Sequence, residues 1–276
     1  MRIRTAGSQS SIRPCRTVGC VGFSDGWDCY AALVDGAWVE RRPRRPEVAG
    51  QLRREAQLMP WLAPLLPLPV PIPRVVCETP LIVRHALVPG RAIETAGTGH
   101  GLALGEFLRA LHDSPAAEAV RHGLPSAAET RRGRAVIIDR FRTEVVPLIP
   151  AAQHGSALAV LDVVAEFPAD TVVHGDLGPE HVMVDGNRIA GVIDFGDVHL
   201  GDAANDLAWP LFGASTAFAD AVADAYGLTD DIRRRASVWH QLGPWHEVTY
   251  GLDRGDDDIV CSGLTGLLDR LNLTHD

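Results

Sequence analysis

Histidine and acidic residues cluster in the second half of the chain, in HGDLGPEH at residues 174–181 and at Asp194. Two short apolar runs follow HGDLGPEH and flank Asp185–Arg188, a pattern that predicts a β-hairpin with a four-residue loop. In that register His181 and Asp194 lie at the same open end of the hairpin, and the preceding run delivers Asp176 to that end. The sequence therefore predicts that three polar side chains converge.

Two carboxylates and an imidazole at one edge suit phosphoryl transfer, in which the protein mainly positions the reactants and neutralises charge. One aspartate can accept the proton of an attacking hydroxyl while the other holds a divalent metal ion. The alternative is that HGD caps a helix and the aspartates occupy solvated turns, where Asp is common. We favour the site, because the alternative must explain several acidic residues at set intervals around one hairpin.

The segment resembles the aminoglycoside phosphotransferase family of the protein-kinase-like superfamily, whose pattern is HGD, then a metal ligand, then a DFG-like aspartate. By that resemblance Asp176 is the catalytic base, His174 supports its loop and Asp194 ligates Mg²⁺. The family usually has Asn five residues after the catalytic aspartate, whereas this chain has His181, as macrolide-phosphorylating relatives do. The resemblance gives His181 a metal role, and because Mg²⁺ prefers oxygen, the sequence leaves direct ligation open.

The same resemblance implies that Asp202 and Asp206, in GDAANDLAW, tether the loop and start a helix. Similarity around GDLGPEH and LGPWHEV suggests the branch that includes viomycin and capreomycin phosphotransferases. The implied fold is α+β, bilobal and protein-kinase-like. A small antiparallel-sheet N-lobe at residues 1–87 would bind nucleotide, and a larger, mainly helical C-lobe at residues 88–276 would hold the catalytic and substrate-binding residues.

A kinase-like N-lobe needs a cation on a strand for the nucleotide phosphates and a helix carboxylate to hold it. The chain has no lysine, and the resemblance places Arg41 of AWVERRP in this role, on the Val39 face of its strand. Glu55 is the natural partner, because a carboxylate among the apolar positions of its helix would be destabilising unless paired.

Two other N-lobe segments complete the predicted nucleotide site. SDGWD, with Ser24 and Gly26, occupies the place of the phosphate-covering loop, although an ordinary hairpin turn would use the same residues. The strand near His85 and Leu87 would offer backbone groups to a purine, which does not distinguish ATP from GTP.

Acidic residues of the C-lobe are candidates for holding a cationic acceptor. Asp197 follows the DFG-like motif and is closest to the predicted reaction, while Glu247 and Asp253 come later in the chain. Asp256–Asp258 suit either the acceptor or a helix start, and Trp245 suits either a cation-attracting face or the core.

Hydrophobic periodicity predicts the elements that position these residues. Three short strands, with a turn at Asp35–Gly36, predict a small antiparallel sheet, and a helix from Pro46 should follow it. WLAPLLPLPVPIP predicts an extended connector, and LIVRHAL predicts a last strand. Apolar spacing of three and four residues predicts later helices at Leu104–Leu111, Phe218–Ala225 and Val260–Leu271.

The composition narrows the function class. The 276 residues carry 26 positive side chains, all Arg, against 35 carboxylates, for a formal net charge of −9. Without lysine, a Walker loop, a pyridoxal Schiff base and a lysine nucleophile are excluded. Five cysteines without a CxxC pair predict reduced thiols. The amino terminus has no apolar core of signal-peptide length, and every long apolar stretch is broken by Pro or Gly well short of a membrane span. We expect a cytoplasmic protein, monomer or weak homodimer, that binds neither nucleic acid nor membrane.

These observations predict an enzyme that moves the terminal phosphate of ATP or GTP, with Mg²⁺, to a hydroxyl of a small cationic antibiotic. An aminoglycoside or a tuberactinomycin-type peptide is the expected acceptor, and resistance is the expected outcome. A metabolic kinase for choline, homoserine or a sugar would share the same residues. Two further function classes stay open, a nucleotide-binding pseudokinase and a metallohydrolase that uses His174, Asp176, His181 and Asp194.

Overall fold

A computed structural model describes residues 21–22 and 28–272, which form a small N-lobe on one antiparallel sheet and a larger, mainly helical C-lobe. The N-lobe strands are β1 (Val21–Gly22), β2 (Cys29–Val34), β3 (Trp38–Pro43), β4 (Arg74–Glu78) and β5 (Leu81–Ala86), in the spatial order β1-β2-β3-β5-β4. The predicted Asp35–Gly36 turn is present, and both residues have positive φ (52° and 67°), which suits a tight hairpin. Ser24 and Gly26 lie outside the described residues.

The sequence does not predict β4, which follows the proline-rich connector. This strand lies at the sheet edge and most of its side chains are exposed, so it lacks the alternation that marks a half-buried strand. Helix α1 (Pro46–Leu62) starts at the predicted proline and buries Leu52 and Met59. The predicted extended connector is only partly confirmed, because Trp61 and Leu62 belong to α1 and Ala63–Leu65 form a 3-10 turn, in which Pro64 is tolerated near the start. Residues 66–73 lie outside helices and strands, and the Pro69 carbonyl accepts a hydrogen bond from the Val192 amide at 3.0 Å, which ties the connector to the C-lobe.

Helices make up most of the C-lobe. They are α2 (Thr98–His112), α3 (Ala116–Arg121), α4 (Ala127–Arg140), α5 (His154–Ala165), α6 (Ala203–Asp206), α7 (Ala208–Phe212), α8 (Thr216–Tyr226), α9 (Asp230–Arg254) and α10 (Asp257–Asn272). The three helices predicted from apolar spacing are confirmed as α2, α8 and α10. Helices α4 and α9 are not predicted, because α4 carries few apolar positions and α9 contains Pro244 and polar residues on most of its surface.

Short strands carry the polar loops of the C-lobe. They are β6 (Arg91–Ala92), β7 (Thr171–Val173), β8 (Val182–Asp185), β9 (Arg188–Val192) and β10 (His199–Gly201). Strands β8 and β9 form the predicted hairpin, but its loop has two residues rather than four, because Asp185 pairs with Arg188. Gly186 at φ 60° supplies the left-handed turn that lets pairing continue so far. Strand β6 extends this hairpin to three strands, and β7 pairs with β10.

Two expectations concern the chain as a whole. In the part that the structure describes, no helix has the length and apolarity needed to cross a membrane. The described cysteines, Cys29, Cys77 and Cys261, are free thiols, whereas Cys15 and Cys20 fall outside the described residues.

The C-lobe core depends on close packing of α2 against α8. Gly101 and Gly105 lie one turn apart on α2, and a Cβ at either position would come within 2.8 Å of atoms on α8. The glycines therefore allow the two helix backbones to approach, and the adjacent Leu104, Phe107 and Leu108 are fully buried in the same core.

Gly105→Ala tests this packing. Its methyl group would lie 2.7 Å from the Val222 carbonyl oxygen, so we expect the free energy of unfolding, measured in urea, to fall by about 1–3 kcal/mol. Gly133→Ala is the matched control, because a Cβ there meets nothing within 4 Å and helix propensity should add about 0.5–1 kcal/mol. Equal effects of the two substitutions would contradict the packing.

Candidate active site

The loop after β7 is held by a buried carboxylate. Asp206, at the end of α6, accepts hydrogen bonds from the amides of His174 at 2.6 Å and Gly175 at 2.9 Å, and from Nε2 of His112 at 3.1 Å. Burial by itself would raise the pKa of Asp206, but the hydrogen bond and charge of His112, with the backbone amide, outweigh it and hold the pKa below its ordinary value. The predicted tether is thus present.

His174 is fully buried and lies between the two halves of the site. Its Nδ1 accepts the Asp176 amide at 3.3 Å, and its Nε2 lies 2.9 Å from the Ile193 carbonyl, so Nε2 carries the proton. Burial lowers the pKa of His174, which favours the neutral ring. Through these two contacts His174 links the backbone of Asp176 to Ile193, the residue before Asp194.

The HGD motif needs glycine at its second position. Gly175 has φ 89°, and a Cβ there would lie 2.4 Å from the Asp197 carbonyl oxygen. The Gly175 carbonyl also accepts a hydrogen bond from Nδ2 of Asn205 at 3.1 Å. Any other residue would push the loop away from the turn that follows Asp194.

Asp194 adopts a left-handed backbone conformation, with φ 65° and ψ 68°. This conformation is unfavourable for most residues, although Asp tolerates it better than most, and such strain concentrates at functional sites. The side chain accepts a weak hydrogen bond from the Gly196 amide at 3.4 Å, and its carboxylate is 53% exposed. The turn therefore presents a carboxylate to the open space between the lobes.

Five side chains from both lobes form a continuous series of polar contacts. Arg41 on β3 donates a hydrogen bond to Glu55 on α1, as the sequence predicts, and its Nη1 lies 3.7 Å from Oδ1 of Asp194. Nε2 of His181 lies 3.8 Å from Oδ2 of Asp194, and its Nδ1 lies 3.9 Å from Oδ2 of Asp176. The structure thus brings the two aspartates to one place, with His181 between them.

The Arg41–Glu55 pair is buried, at 12% and 1% side-chain exposure. Burial would lower the pKa of Arg41, but the carboxylates of Glu55 and Asp194 reverse this and raise it, so the guanidinium stays charged. Burial raises the pKa of Glu55, and Arg41 opposes that shift. Nε of Arg41 and Oε1 of Glu55 are buried without a hydrogen-bond partner among the described residues. Such orphaned polar atoms are costly unless a ligand satisfies them.

One backbone group of the segment predicted to face a purine already forms a hydrogen bond within the N-lobe. The Leu87 amide donates to the Ala37 carbonyl at 2.8 Å, so this amide is already used. His85 is buried, and burial lowers its pKa to about 4. Its Nδ1 lies 2.9 Å from the Ala86 carbonyl oxygen, which can only accept a hydrogen bond, so Nδ1 carries a proton and the ring supports the strand.

Two residues on the side expected to hold the acceptor have exposed side chains, and the neighbouring protein nevertheless shifts their pKa values. Asp197 has an exposed side chain, but burial, followed by the negative charges of Asp176, Asp194 and Asp28, raises its pKa to about 6. His246 on α9 also has an exposed ring, and burial lowers its pKa while Asp176 opposes the shift. We interpret both as residues lining the wall of a cleft beside Asp176.

Other acceptor candidates are used differently. Asp253 forms two hydrogen bonds with Arg140, at 2.6 and 3.0 Å, which lower its pKa. Trp245 is fully buried in the core, and Asp256 accepts the Ile259 amide at 3.3 Å at the start of α10. Glu247 is exposed on α9, where its charge acts on Arg270. The structure does not bring these residues into the contacts around Asp176.

Several supporting residues escape sequence reasoning. His112 and Asn205 anchor the loop from helices. Asp202, which the resemblance implies is a loop tether, instead accepts hydrogen bonds from the Ala204 amide at the start of α6 and from Arg235 and Trp239 of α9, two partners that the sequence does not identify. The motif GPWHEV directs attention to Glu247, whereas it is the pKa of its neighbour His246 on which the charge of Asp176 acts. The sequence indicates only that a polar residue within an apolar pattern needs a hydrogen-bond partner, and it does not show which residue is that partner.

The donor set suits a metal ion that arrives with phosphates. Among the described residues, no group of three or more His, Cys, Asp or Glu side chains is arranged to hold a metal ion by itself. Asp194 and His181 supply two donors beside open space, which fits an ion that takes its remaining ligands from phosphate and water.

Comparison with known proteins gives the relationship of the whole chain. The family model described as "Phosphotransferase enzyme family" matches residues 19–241. Viomycin phosphotransferase of Streptomyces vinaceus is 33% identical over 159 residues, which cover 54% of this chain and 54% of that protein. The chain therefore matches little more than half the length of this relative.

Solved structures share the architecture. The GDP complex of aminoglycoside 2'-phosphotransferase-IIIa superposes with a TM-score of 0.79 at 23% identity, covering 94% of both chains. Macrolide 2'-phosphotransferase MphH from Brachybacterium faecium superposes with a TM-score of 0.71 at 25% identity, covering 90% of this chain and 91% of that chain. The bilobal, protein-kinase-like α+β fold implied by the resemblance is confirmed.

Asp206→Asn tests the tether. The amide cannot serve as a charged acceptor for three N–H groups, so we expect the free energy of unfolding at pH 7 to fall by about 3 kcal/mol. Because folding lowers the pKa of Asp206, its stabilising effect is present above the ordinary carboxyl pKa and is lost as the pH falls through the folded value. The difference from wild type should shrink below about pH 4, measured by urea unfolding.

Asp185→Asn, in the exposed turn of the hairpin, is the control and should change stability by less than about 0.5 kcal/mol. A difference between Asp206→Asn and wild type that does not change with pH would argue against an ionised Asp206.

Proposed function

The chain belongs to the phosphotransferase enzyme family, and from that premise we propose that it transfers the terminal phosphate of ATP or GTP to a hydroxyl of a small cationic antibiotic. An aminoglycoside or a tuberactinomycin-type peptide is the proposed acceptor, and resistance is the proposed outcome. The similarity to viomycin phosphotransferase supports this acceptor class. The enzyme would act in the cytoplasm, where nucleoside triphosphates are available, as a monomer or weak homodimer.

The observation that carries the proposal is the series of contacts from Glu55 through Arg41, Asp194 and His181 to Asp176. It places a buried, permanently charged guanidinium next to an exposed carboxylate and puts a second exposed carboxylate beyond them. Phosphoryl transfer needs this order, in which a cation holds the donor phosphates at one end and a base meets the acceptor at the other.

Each residue has a role that follows from its environment. Arg41, oriented by Glu55, would bind donor phosphate oxygens, and its unpartnered Nε supplies a further donor. Asp194 and His181 would hold Mg²⁺, which supplies charge neutralisation for the phosphates when bound. Asp176, 63% exposed and fixed through its backbone by His174 and His181, would orient the acceptor hydroxyl and accept its proton.

Asp197 would hold a cationic group of the acceptor. Three other aspartates act on its carboxylate. Their negative charges oppose the ionisation of Asp197, and the same charges attract a bound cation. Glu247 and Asp253 stay outside this proposal, because the charge of Glu247 acts on Arg270 and Asp253 is hydrogen-bonded to Arg140.

The competing functions differ in how well the geometry suits them. A metallohydrolase that uses His174 as a ligand is disfavoured, since both ring nitrogens of His174 already bond to the backbone. A pseudokinase would not need both Asp176 and Asp194 exposed to the same space. A metabolic hydroxyl kinase would use the same residues and differs only in its acceptor.

Asp176→Asn tests the proposed base. With nucleotide, Mg²⁺ and a panel of aminoglycosides, tuberactinomycin-type peptides, macrolides and metabolic alcohols, we expect acceptor-dependent phosphate transfer by wild type. The variant should lose about 100- to 10,000-fold in turnover and retain its nucleotide dissociation constant, measured by calorimetry. Asp185→Asn is the control. Nucleotide binding without turnover on any acceptor would favour the pseudokinase.

Asp197→Asn tests the acceptor site through pH. With a pKa of about 6, the carboxyl is mostly protonated at pH 5 and mostly ionised at pH 7. Because only the ionised form attracts a cation, acceptor affinity should rise by about tenfold over this range, measured by calorimetry with an acceptor whose amines stay protonated. The affinity of Asp197→Asn should be weaker and lack this rise. A wild-type affinity that is flat with pH would contradict the role of Asp197.

A further inference from the structure

The last turns of helix α1 pack into the core of the C-lobe. Leu58, Met59 and Leu62 are fully buried in the same apolar cluster as Leu104 and Phe107 of α2. The first turns of the helix pack against the N-lobe sheet instead. Because packed cores do not deform continuously, the C-lobe core fixes where the end of α1 lies.

A ring stack joins the same end of α1 to the loop after α3. The rings of Trp61 and His122 lie nearly parallel, with an interplanar angle of 12° and ring centroids 5.0 Å apart. One turn earlier on α1, the Gln57 side chain lies against Gly123, where a Cβ would come within 3.2 Å of Oε1 of Gln57. Since residues four apart share a face of a helix, one face of α1 contacts His122 and Gly123 together.

The loop that carries His122 is itself held by the C-lobe. The His122 amide donates a hydrogen bond to the Glu118 carbonyl at 2.9 Å, and the Leu124 amide donates one to the Ala119 carbonyl at 3.1 Å. Leu124 and Ala119 are buried in the C-lobe core. His122 therefore gives Trp61 a fixed surface to pack against.

Glu55 lies on α1 between this anchored end and the N-lobe sheet. It precedes Met59 by one turn on the same buried face of the helix. Glu55 holds the guanidinium of Arg41, and Nη1 of Arg41 lies 3.7 Å from Oδ1 of Asp194 in the C-lobe. The position of α1 against the C-lobe therefore determines where this guanidinium lies relative to Asp194.

The Arg41–Glu55 pair has few other supports. Nε of Arg41 and Oε1 of Glu55 have no hydrogen-bond partner among the described residues. The pair therefore takes its position from the two elements that carry it, β3 and α1. Helix α1 also contacts the Phe195–Asp197 turn, which follows Asp194 directly.

We propose that Trp61 and His122 are positioning residues for the donor triphosphate. Their ring stack fixes the end of α1 to the C-lobe and thereby sets the place where Glu55 holds the guanidinium of Arg41. Trp61 follows Glu55 by six residues, about 9 Å along the helix axis, so the stack acts through the helix and Glu55. This inference rests on the proposed function, in which Arg41 binds donor phosphate oxygens.

The stack should affect the binding of the phosphates and not the binding of the base. Arg41 would hold phosphate oxygens, whereas the segment predicted to face a purine is part of β5 and the residues after it. Loss of the stack should therefore weaken the binding of a nucleoside triphosphate and leave the binding of the nucleoside unchanged. A general loss of structure would weaken both.

His122→Ala tests the stack. Calorimetry on the full-length protein gives the dissociation constants of adenosine and of ATP with Mg²⁺, and guanosine and GTP form a second pair. The ratio of nucleoside to triphosphate dissociation constants should fall by about threefold or more in His122→Ala. His122→Phe keeps a flat ring against Trp61 and should restore the ratio. His100→Ala, which removes a half-buried histidine at the start of α2, is the matched control and should keep the ratio of wild type.

A double-mutant cycle tests whether the stack acts through Glu55. In the Glu55→Gln background, His122→Ala should have little further effect on triphosphate affinity, because the carboxylate that it positions is absent. Additive effects of the two substitutions would overturn the inference, and so would an unchanged ratio in His122→Ala. If wild type binds neither triphosphate more tightly than its nucleoside, the proposed function fails, and this inference fails with it.

Discussion

The geometry of the site depends on the burial of one carboxylate. Asp206 has no access to solvent, so it needs hydrogen bonds to remain ionised, and it takes them from the two backbone amides that begin the HGD loop and from His112 on α2. This requirement fixes the loop to the helical core. His174 then connects this loop to Ile193, the residue before Asp194, through its two ring nitrogens. Asp206 and His174 therefore position the two exposed aspartates from within the protein, away from any reactant.

The candidate site joins the two lobes through charge rather than through shared secondary structure. Arg41 and Glu55 belong to the N-lobe, and Asp194, His181 and Asp176 belong to the C-lobe. The contact between the lobes, from Arg41 to Asp194, is 3.7 Å long, and the contacts of His181 with the two aspartates inside the C-lobe are 3.8 and 3.9 Å long. All three are longer than hydrogen bonds, so ligands can enter between these groups without breaking strong interactions.

The sequence predicts a feature correctly where the residue types allow only one favourable arrangement. Arg41 and Glu55 pair because a carboxylate within an apolar stripe needs a cation, and the β8–β9 hairpin follows from apolar runs around a turn. It fails where the outcome depends on distant partners. The sequence shows His112 only as a polar residue in a helix, and its role follows from its distant partner Asp206. Trp245 and His246 are neighbours in sequence, and only the orientation of α9 decides which of them is buried. Strand β4 is an exposed edge strand, so its sequence has no periodic pattern. The protein-kinase-like fold came from motif resemblance, because periodicity alone does not order the strands.

The guanidinium of Arg41 has a practical consequence for detecting this protein. A reagent that acylates a protein at a nucleotide site needs a lysine amine beside that site. The chain contains no lysine at all, and a guanidinium that remains protonated is a poor nucleophile. A lysine-directed nucleotide reagent would therefore find no lysine side chain to modify in this protein.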